Sequence, residues 1–158
     1  MKHNTAFTLI ELIVVILIAA IIAAIAVTRW PGSRINLNST AQQLASDIRY
    51  TQTLAMSRAQ DYRLNVTAST YSITTGGGTA VNNPITGSAS VSLPSGTTIT
   101  ISPTNLPNNL IAFDSQGIPY TNSTTTTALG SAAVITLTSN SLTTTVTIQP
   151  QTGRVTVP

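Results

Sequence analysis

The sequence predicts an α+β fold, in which a long apolar N-terminal helix continues into an amphipathic helix packed on an antiparallel β-sheet or sandwich. Three observations predict it. Residues 12–27 are sixteen consecutive apolar residues. Residues 37–59 then carry apolar side chains at helical spacing, and from residue 62 apolar and polar residues alternate in short segments. With 158 residues in total, one globular head can follow the apolar run, but two cannot.

The apolar run is long enough to cross a membrane. As a helix, residues 7–28 span about 33 Å at about 1.5 Å per residue, against a bilayer core of about 30 Å. Extended back to Phe7, the run is interrupted only by Thr8 and Glu11, and a carboxylate costs roughly 2.5–3.5 kcal/mol at mid-bilayer. Glu11 therefore needs either a partner or a shallow position near the helix N-terminus, where the helix dipole lowers the cost.

A secretory signal peptide is the alternative reading of this run. Ala24, Ile25 and Ala26 fit the small-x-small pattern of a cleavage site. Cleavage after Ala26 would release a β-rich binding domain into the exterior, with no stem.

A second, amphipathic helix is predicted after Pro31 and Gly32, because this pair interrupts regular helical structure. The residues expected on its buried face are Leu37, Ala41, Leu44, Ile48, Ala55 and Ala59. Candidate N-caps are Asn36, Asn38 and Ser39. Residues expected largely on the solvated face are Asp47, Arg49, Gln52 and Arg58.

Short strands are predicted after this helix. Residues 62–66 and a strand starting at Tyr71 form a hairpin. Further alternating apolar pairs are Ile99 with Ile101, Ile135 with Leu137, Val146 with Ile148, and Val155 with Val157. Residues 74–84, rich in glycine, and residues 120–130, rich in threonine, are predicted to be surface loops.

Composition argues against an enzyme. Only 7% of the residues are charged, and the net charge is +3. The chain has no cysteine, which excludes disulfides and thiolate zinc sites, and its one histidine is His3. Asp47, Asp61 and Asp114 are widely spaced single carboxylates, expected to act as caps, turn residues and ion-pair partners. We therefore expect no catalytic residue, no metal and no cofactor.

The residues from Ala6 to Glu11, followed by the apolar run, resemble the processing site and stem of type IV pilins and type II secretion pseudopilins. The resemblance implies that a prepilin peptidase cleaves between Ala6 and Phe7 and that the new N-terminal Phe7 is N-methylated. It also implies that the stems pack together, with Glu11 paired to the terminal amine of a neighbouring subunit. Thr8, Leu9 and Ile10 are the other residues that this motif assigns to assembly.

Two positions depart from the usual pattern of that family. Ala6 stands where glycine is usual, which is expected to slow processing. Thr28 stands where many pilins have a proline that kinks the stem, so a straighter stem is expected.

Three further segments resemble the minor pseudopilins and minor pilins of the GspH/FimT type: residues 44–60, 113–117 and 148–155. The expected organisation is a leader (1–6), a transmembrane and filament-core helix (7–29), an amphipathic helix (30–60) and a β-rich head (61–158). A minor subunit is favoured over a major pilin. The implied partners are other pilin or pseudopilin subunits, the prepilin peptidase, an inner-membrane assembly platform and the membrane itself.

The resemblance also implies a location and raises a third function. The precursor is expected in a bacterial inner membrane with its N-terminus in the cytoplasm, and the mature chain in an extracellular or periplasmic filament. Some minor pilins of this type serve DNA uptake through a C-terminal Gly-Arg-x-Arg element, which corresponds here to Gly153–Thr156. Only Arg154 is present and the other arginines do not cluster, so DNA contact at Arg154 is a minority hypothesis.

Overall fold

The computed structural model describes residues 8–28, 32–102 and 104–158. The leader (1–6) and Phe7 lie outside the described residues, so the expected cleavage and methylation site at Ala6 and Phe7 does too. The chain divides into two compact units, Met1–Gly32 and Ser33–Pro158. We call the second unit the head.

The first described helix, α1, spans Leu9–Thr28. Thr8 caps it, because the Thr8 carbonyl oxygen accepts hydrogen bonds from the backbone N–H groups of Glu11 (3.1 Å) and Leu12 (3.2 Å). Within the part of the chain that the structure describes, no helix qualifies by length and apolarity as a membrane span. The expectation that residues 7–29 cross a membrane stays a prediction.

The second helix, α2, spans Gly32–Arg58 and lays its apolar face on the head. The residues of that face that are fully buried are Leu37, Ala41, Leu44, Ala45, Ile48 and Ala55. The predicted caps are wrong, because the helix already begins at Gly32. Ala59 is not on the buried face as expected: it is exposed and takes a φ of 49°, which ends the helix.

Ten strands follow. They are β1 Tyr62–Val66, β2 Thr70–Thr75, β3 Ala80–Val81, β4 Ser90–Ser92, β5 Thr97–Ile101, β6 Leu110–Phe113, β7 Pro119–Tyr120, β8 Ala133–Ser139, β9 Leu142–Ile148 and β10 Val155–Thr156. They form two antiparallel sheets. Sheet A has the order β3-β2-β1-β6-β7, with β4 also on β2, and sheet B has the order β10-β9-β8-β5.

The predicted hairpin is confirmed, since β1 pairs with β2 and Leu64 lies opposite Ile73. The alternating pairs of the C-terminal half form sheet B, where Ile135 lies opposite Val146 and both are fully buried. The predicted loop at 74–84 is partly wrong, because β2 runs to Thr75 and β3 pairs back onto it. A short glycine turn therefore joins two paired strands at this point.

Candidate functional site

The α1 helix exposes apolar side chains in every direction. Residues 12–18 are consecutive large aliphatics, and each remains about half exposed, from 45% at Ile13 to 60% at Leu12. Successive helical residues are turned about 100° from one another, so this stretch covers the whole circumference. A helix that is apolar all round is stable only when other apolar groups cover it.

Glu11 is the single charged residue of α1 and lies in its first turn. Its backbone N–H also approaches the Thr8 hydroxyl oxygen at 3.3 Å, the Thr-x-x-Glu spacing of a capping box. The structure thus brings together Thr8 and Glu11, two of the residues assigned to assembly by resemblance. Leu9 and Ile10, the other two, are exposed at 77% and 69%.

The three head segments singled out in the sequence meet at one place. The Gln52 side-chain amide donates hydrogen bonds to the carbonyl oxygens of Gly117 (2.8 Å) and Thr152 (2.9 Å). The Arg49 guanidinium donates to the carbonyl oxygen of Val155 at 2.9 Å. We call these five residues the helix–turn junction. Arg49 is exposed, as expected of the largely solvated face, and Gln52 is half-buried. Their long side chains tie α2 to β10 and to two turns.

The two turns need glycine for space as well as for conformation. Gly117 and Gly153 have φ values of 80° and 63°, in the left-handed region. A Cβ at Gly153 would lie 2.6 Å from the Gln52 amide nitrogen and 2.9 Å from the Phe113 ring. The prediction of tight turns is confirmed, and the packing of α2 on them adds a constraint that the sequence did not reveal.

Asp47 corrects a further expectation. It was placed largely on the solvated face, but it is 1% exposed, and the Tyr71 hydroxyl donates to its carboxylate at 2.6 Å. Asp47 precedes Ile48 and lies three residues after Leu44, so it borders the apolar stripe and faces sheet A. Burial raises the pKa of Tyr71 well above its usual value, and the hydrogen bond to Asp47 adds to this.

The other two carboxylates of the head hold loops. The Asp114 carboxylate accepts from the backbone N–H groups of Gln116 and Ile118, both at 2.9 Å, so it is the turn residue that the sequence predicts. Asp61 accepts from the Thr125 hydroxyl at 2.8 Å. Among the described residues, no three His, Asp or Glu side chains lie close enough together to hold a metal ion.

Arg154 is exposed on the C-terminal turn, beside Gly153 of the junction region. The Arg49 guanidinium donates its hydrogen bond to the backbone carbonyl oxygen of Val155, the residue after Arg154. Nothing in this arrangement adds to the case for nucleic-acid contact, which stays a prediction.

Two family models match the chain. Residues 1–27 match the prokaryotic N-terminal methylation motif, and residues 40–153 match the type II transport protein GspH. The second match covers well over half of the chain. The chain belongs to the GspH family. As a GspH-family protein with a methylation motif, it is a structural subunit of a type IV pilus or of a type II secretion pseudopilus.

Solved structures share the fold. The minor pilin FimU of Pseudomonas aeruginosa PAO1 has 15% identity and a TM-score of 0.56, over 79% of this chain and 90% of that one. The minor pseudopilin EpsH of the Vibrio cholerae type 2 secretion system has 10% identity and a TM-score of 0.53, over 78% of this chain and 96% of that one. A comparison with curated proteins finds no match.

These matches confirm the family and the α+β fold expected from the sequence. They also imply assembly with other subunits of the same kind, in an extracellular or periplasmic filament. The families are families of structural subunits, not of enzymes.

Proposed function

We propose that this GspH-family chain is a minor subunit, inserted into a bacterial inner membrane as a prepilin and cleaved after Ala6 by a prepilin peptidase. Phe7 then becomes the methylated N-terminus, and an inner-membrane assembly platform moves the stem from the bilayer into a filament. The exposed apolar surface of α1 carries this proposal, because an assembly of stems covers apolar side chains on every side of such a helix.

Glu11 makes the move of the stem from the bilayer into the filament favourable. The aliphatic side chains of α1 are surrounded by apolar groups both in a bilayer and in a bundle of stems, so their burial favours neither state strongly. A lone carboxylate costs about 2.5–3.5 kcal/mol at mid-bilayer and less near a helix N-terminus, and pairing with the Phe7 ammonium of a neighbour removes much of that cost. The charge pair therefore favours the filament over the membrane.

Two observations support the assignment as a minor subunit. The chain belongs to the GspH family, and it shares its fold with the minor pilin FimU and the minor pseudopilin EpsH. The alternative within the same class is a major pilin that forms the body of the filament. Quantifying the chain against the total protein of sheared filaments separates these two, because a minor subunit is present at a small fraction of the major one.

The direct test is the intact mass and N-terminal sequence of the protein from membranes and from sheared filaments. We expect a chain that begins at methylated Phe7 in the filament fraction. A chain that begins at Val27 would instead establish a secreted head without a stem and would overturn the proposal.

Glu11→Gln is the matched test of the charge pair, because it keeps the shape of the side chain and removes its charge. The mid-bilayer cost of about 2.5–3.5 kcal/mol sets the upper limit of the loss, which lowers the incorporated fraction by at most roughly 60- to 400-fold. Glu11→Asp keeps the charge and controls for chain length. Normal incorporation of Glu11→Gln would show that the ammonium pairing does not drive assembly.

A further inference from the structure

The outer face of sheet B consists almost entirely of threonine. Inward and outward positions alternate along each strand, and inward residues such as Ile135 and Val146 are fully buried. Of the nine outward positions on β5, β8, β9 and β10, eight are threonine, and the exception is Val134. The eight are Thr98, Thr100, Thr136, Thr138, Thr143, Thr145, Thr147 and Thr156. We call this set the threonine face.

The strand register arranges these side chains in rows across the sheet. Two full rows cross β5, β8 and β9: Thr98 with Thr138 and Thr143, and Thr100 with Thr136 and Thr145. A further row on β9 and β10 pairs Thr147 with Thr156. Neighbouring strands lie about 4.8 Å apart, and every second residue along a strand is about 6.8 Å from the last. The hydroxyl and methyl groups therefore form a two-dimensional grid.

The hydroxyls of the threonine face do not hold the fold together. Threonine hydroxyls in the loops do so: the Thr67 hydroxyl oxygen accepts the backbone N–H of Thr70 at 3.0 Å, and Thr125 donates to Asp61 at 2.8 Å. Within the residues that the structure describes, no hydrogen bond joins a hydroxyl of the threonine face to another protein atom. Their donors and acceptors are directed to whatever lies outside the sheet.

The outer face of sheet A has a different composition. It carries Arg63 and Asn65, and both side chains donate to the Thr74 hydroxyl, at 2.9 Å and 3.0 Å. The outward positions of sheet B hold neither a charged side chain nor an aromatic ring. A polyanion needs cationic side chains, and sugar rings normally stack on aromatic ones. The threonine face therefore suits an uncharged, regularly repeating partner.

We propose that the threonine face binds ice. Its two spacings come close to the repeats of the water molecules on the prism faces of hexagonal ice. Each hydroxyl donates and accepts hydrogen bonds, as a lattice water does, and the methyl groups between them confine water to ordered positions that the lattice can continue. A charged side chain would orient water around itself and break this match. Binding to ice does not depend on incorporation into a filament, so this proposal and the proposed function are tested separately.

Partition into growing ice measures the binding directly, because solutes that do not bind ice are excluded from it. The full-length chain is solubilised in detergent, ice is grown slowly on a cold probe, and the chain is quantified in the ice and in the remaining liquid. Thr136→Lys places a charge at the centre of the grid and is expected to lower the fraction in ice at least tenfold. Thr53→Lys makes the same change at an exposed threonine of α2 and is expected to leave it unchanged.

Thr145→Lys repeats the test on the neighbouring strand, and denaturant titration of each variant shows that folded chains are compared. Exclusion of the unmodified chain from ice would overturn the inference, whatever the variants do. Equal fractions of Thr136→Lys and of the unmodified chain in ice would overturn it too. If the chain is excluded from ice but held on insoluble cellulose, and Thr136→Lys lowers that retention, the face binds a flat polysaccharide instead.

Discussion

The two helices of this chain differ in how much of their apolar surface is buried. α2 has an apolar face and a polar face, and the head buries the apolar face, with Leu44 and Ile48 fully covered. α1 has no polar face, and residues such as Leu17 and Ile22 remain 58% and 62% exposed. The buried face of α2 stabilises the head, whereas a helix that is apolar all round, as α1 is, is stable only when other apolar groups cover it. The contrast separates what folds the head from what assembles it.

The largest effect expected from this comparison is on the core. Leu44→Ala in α2 removes a fully buried side chain and is expected to lower the free energy of unfolding by about 2–5 kcal/mol. Leu17→Ala in α1 is the matched control, with the same change at an exposed position. Denaturant titration of the full-length chain in detergent, followed by tyrosine fluorescence of the head, measures both. Equal losses would mean that the head stabilises α1 as well.

Gly153, next to Thr152 of the helix–turn junction, is the next position to test. Gly153→Ala places a Cβ 2.6 Å from the Gln52 amide nitrogen at a φ of 63°. Overpacking and backbone strain together are expected to cost about 3 kcal/mol. Gly87→Ala is the control, since Gly87 has a φ of 69° but nothing within 4 Å of the added Cβ. A similar loss at both positions would assign the effect to backbone conformation and not to packing against α2.

The sequence predicted both helices, the β1–β2 hairpin and the strands of sheet B, because hydrophobic periodicity reports which face of an element is buried. It could not place Asp47, since a carboxylate in a helix pattern is assigned to solvent unless its partner is known, and Tyr71 lies 24 residues away. It also missed Gln52, which contacts carbonyl oxygens of residues 65 and 100 positions later. Long-range polar contacts of this kind leave no periodic pattern.

The contact between Thr8 and Glu11, in contrast, is local and could be predicted from the sequence. Thr8 and Glu11 were identified by resemblance, and their capping contact is local, so the first turn of α1 follows directly from the sequence.

A smaller effect is expected from pH. Tyr71 keeps its proton in the folded head because burial raises its pKa, whereas in the unfolded chain the phenol ionises near pH 10. Above about pH 10 the unfolded state thus binds fewer protons, and the free energy of unfolding falls by up to about 1.4 kcal/mol per pH unit.

Tyr71→Phe is expected to remove this part of the pH dependence. Denaturant titrations from about pH 8 to about pH 11, the range in which a free phenol ionises, compare the free energies of unfolding of the two proteins. If the slopes above pH 10 are the same in the two proteins, the loss of stability belongs to other groups.

The smallest effect concerns Gln52. Gln52→Ala removes hydrogen bonds to two carbonyl oxygens that water can reach in part, so a loss of about 1 kcal/mol is expected, and Gln42→Ala, exposed on the same helix, is expected to cost nothing. The informative measurement is the double variant with Gly153→Ala. Without the Gln52 side chain, the contact at 2.6 Å disappears, but the 2.9 Å approach to Phe113 and the positive φ remain. The double variant should therefore be less destabilised than the sum of the two single variants, by about 0.5–1 kcal/mol. Strict additivity would mean that α2 and the C-terminal turn pack independently, and that the junction does not hold them together.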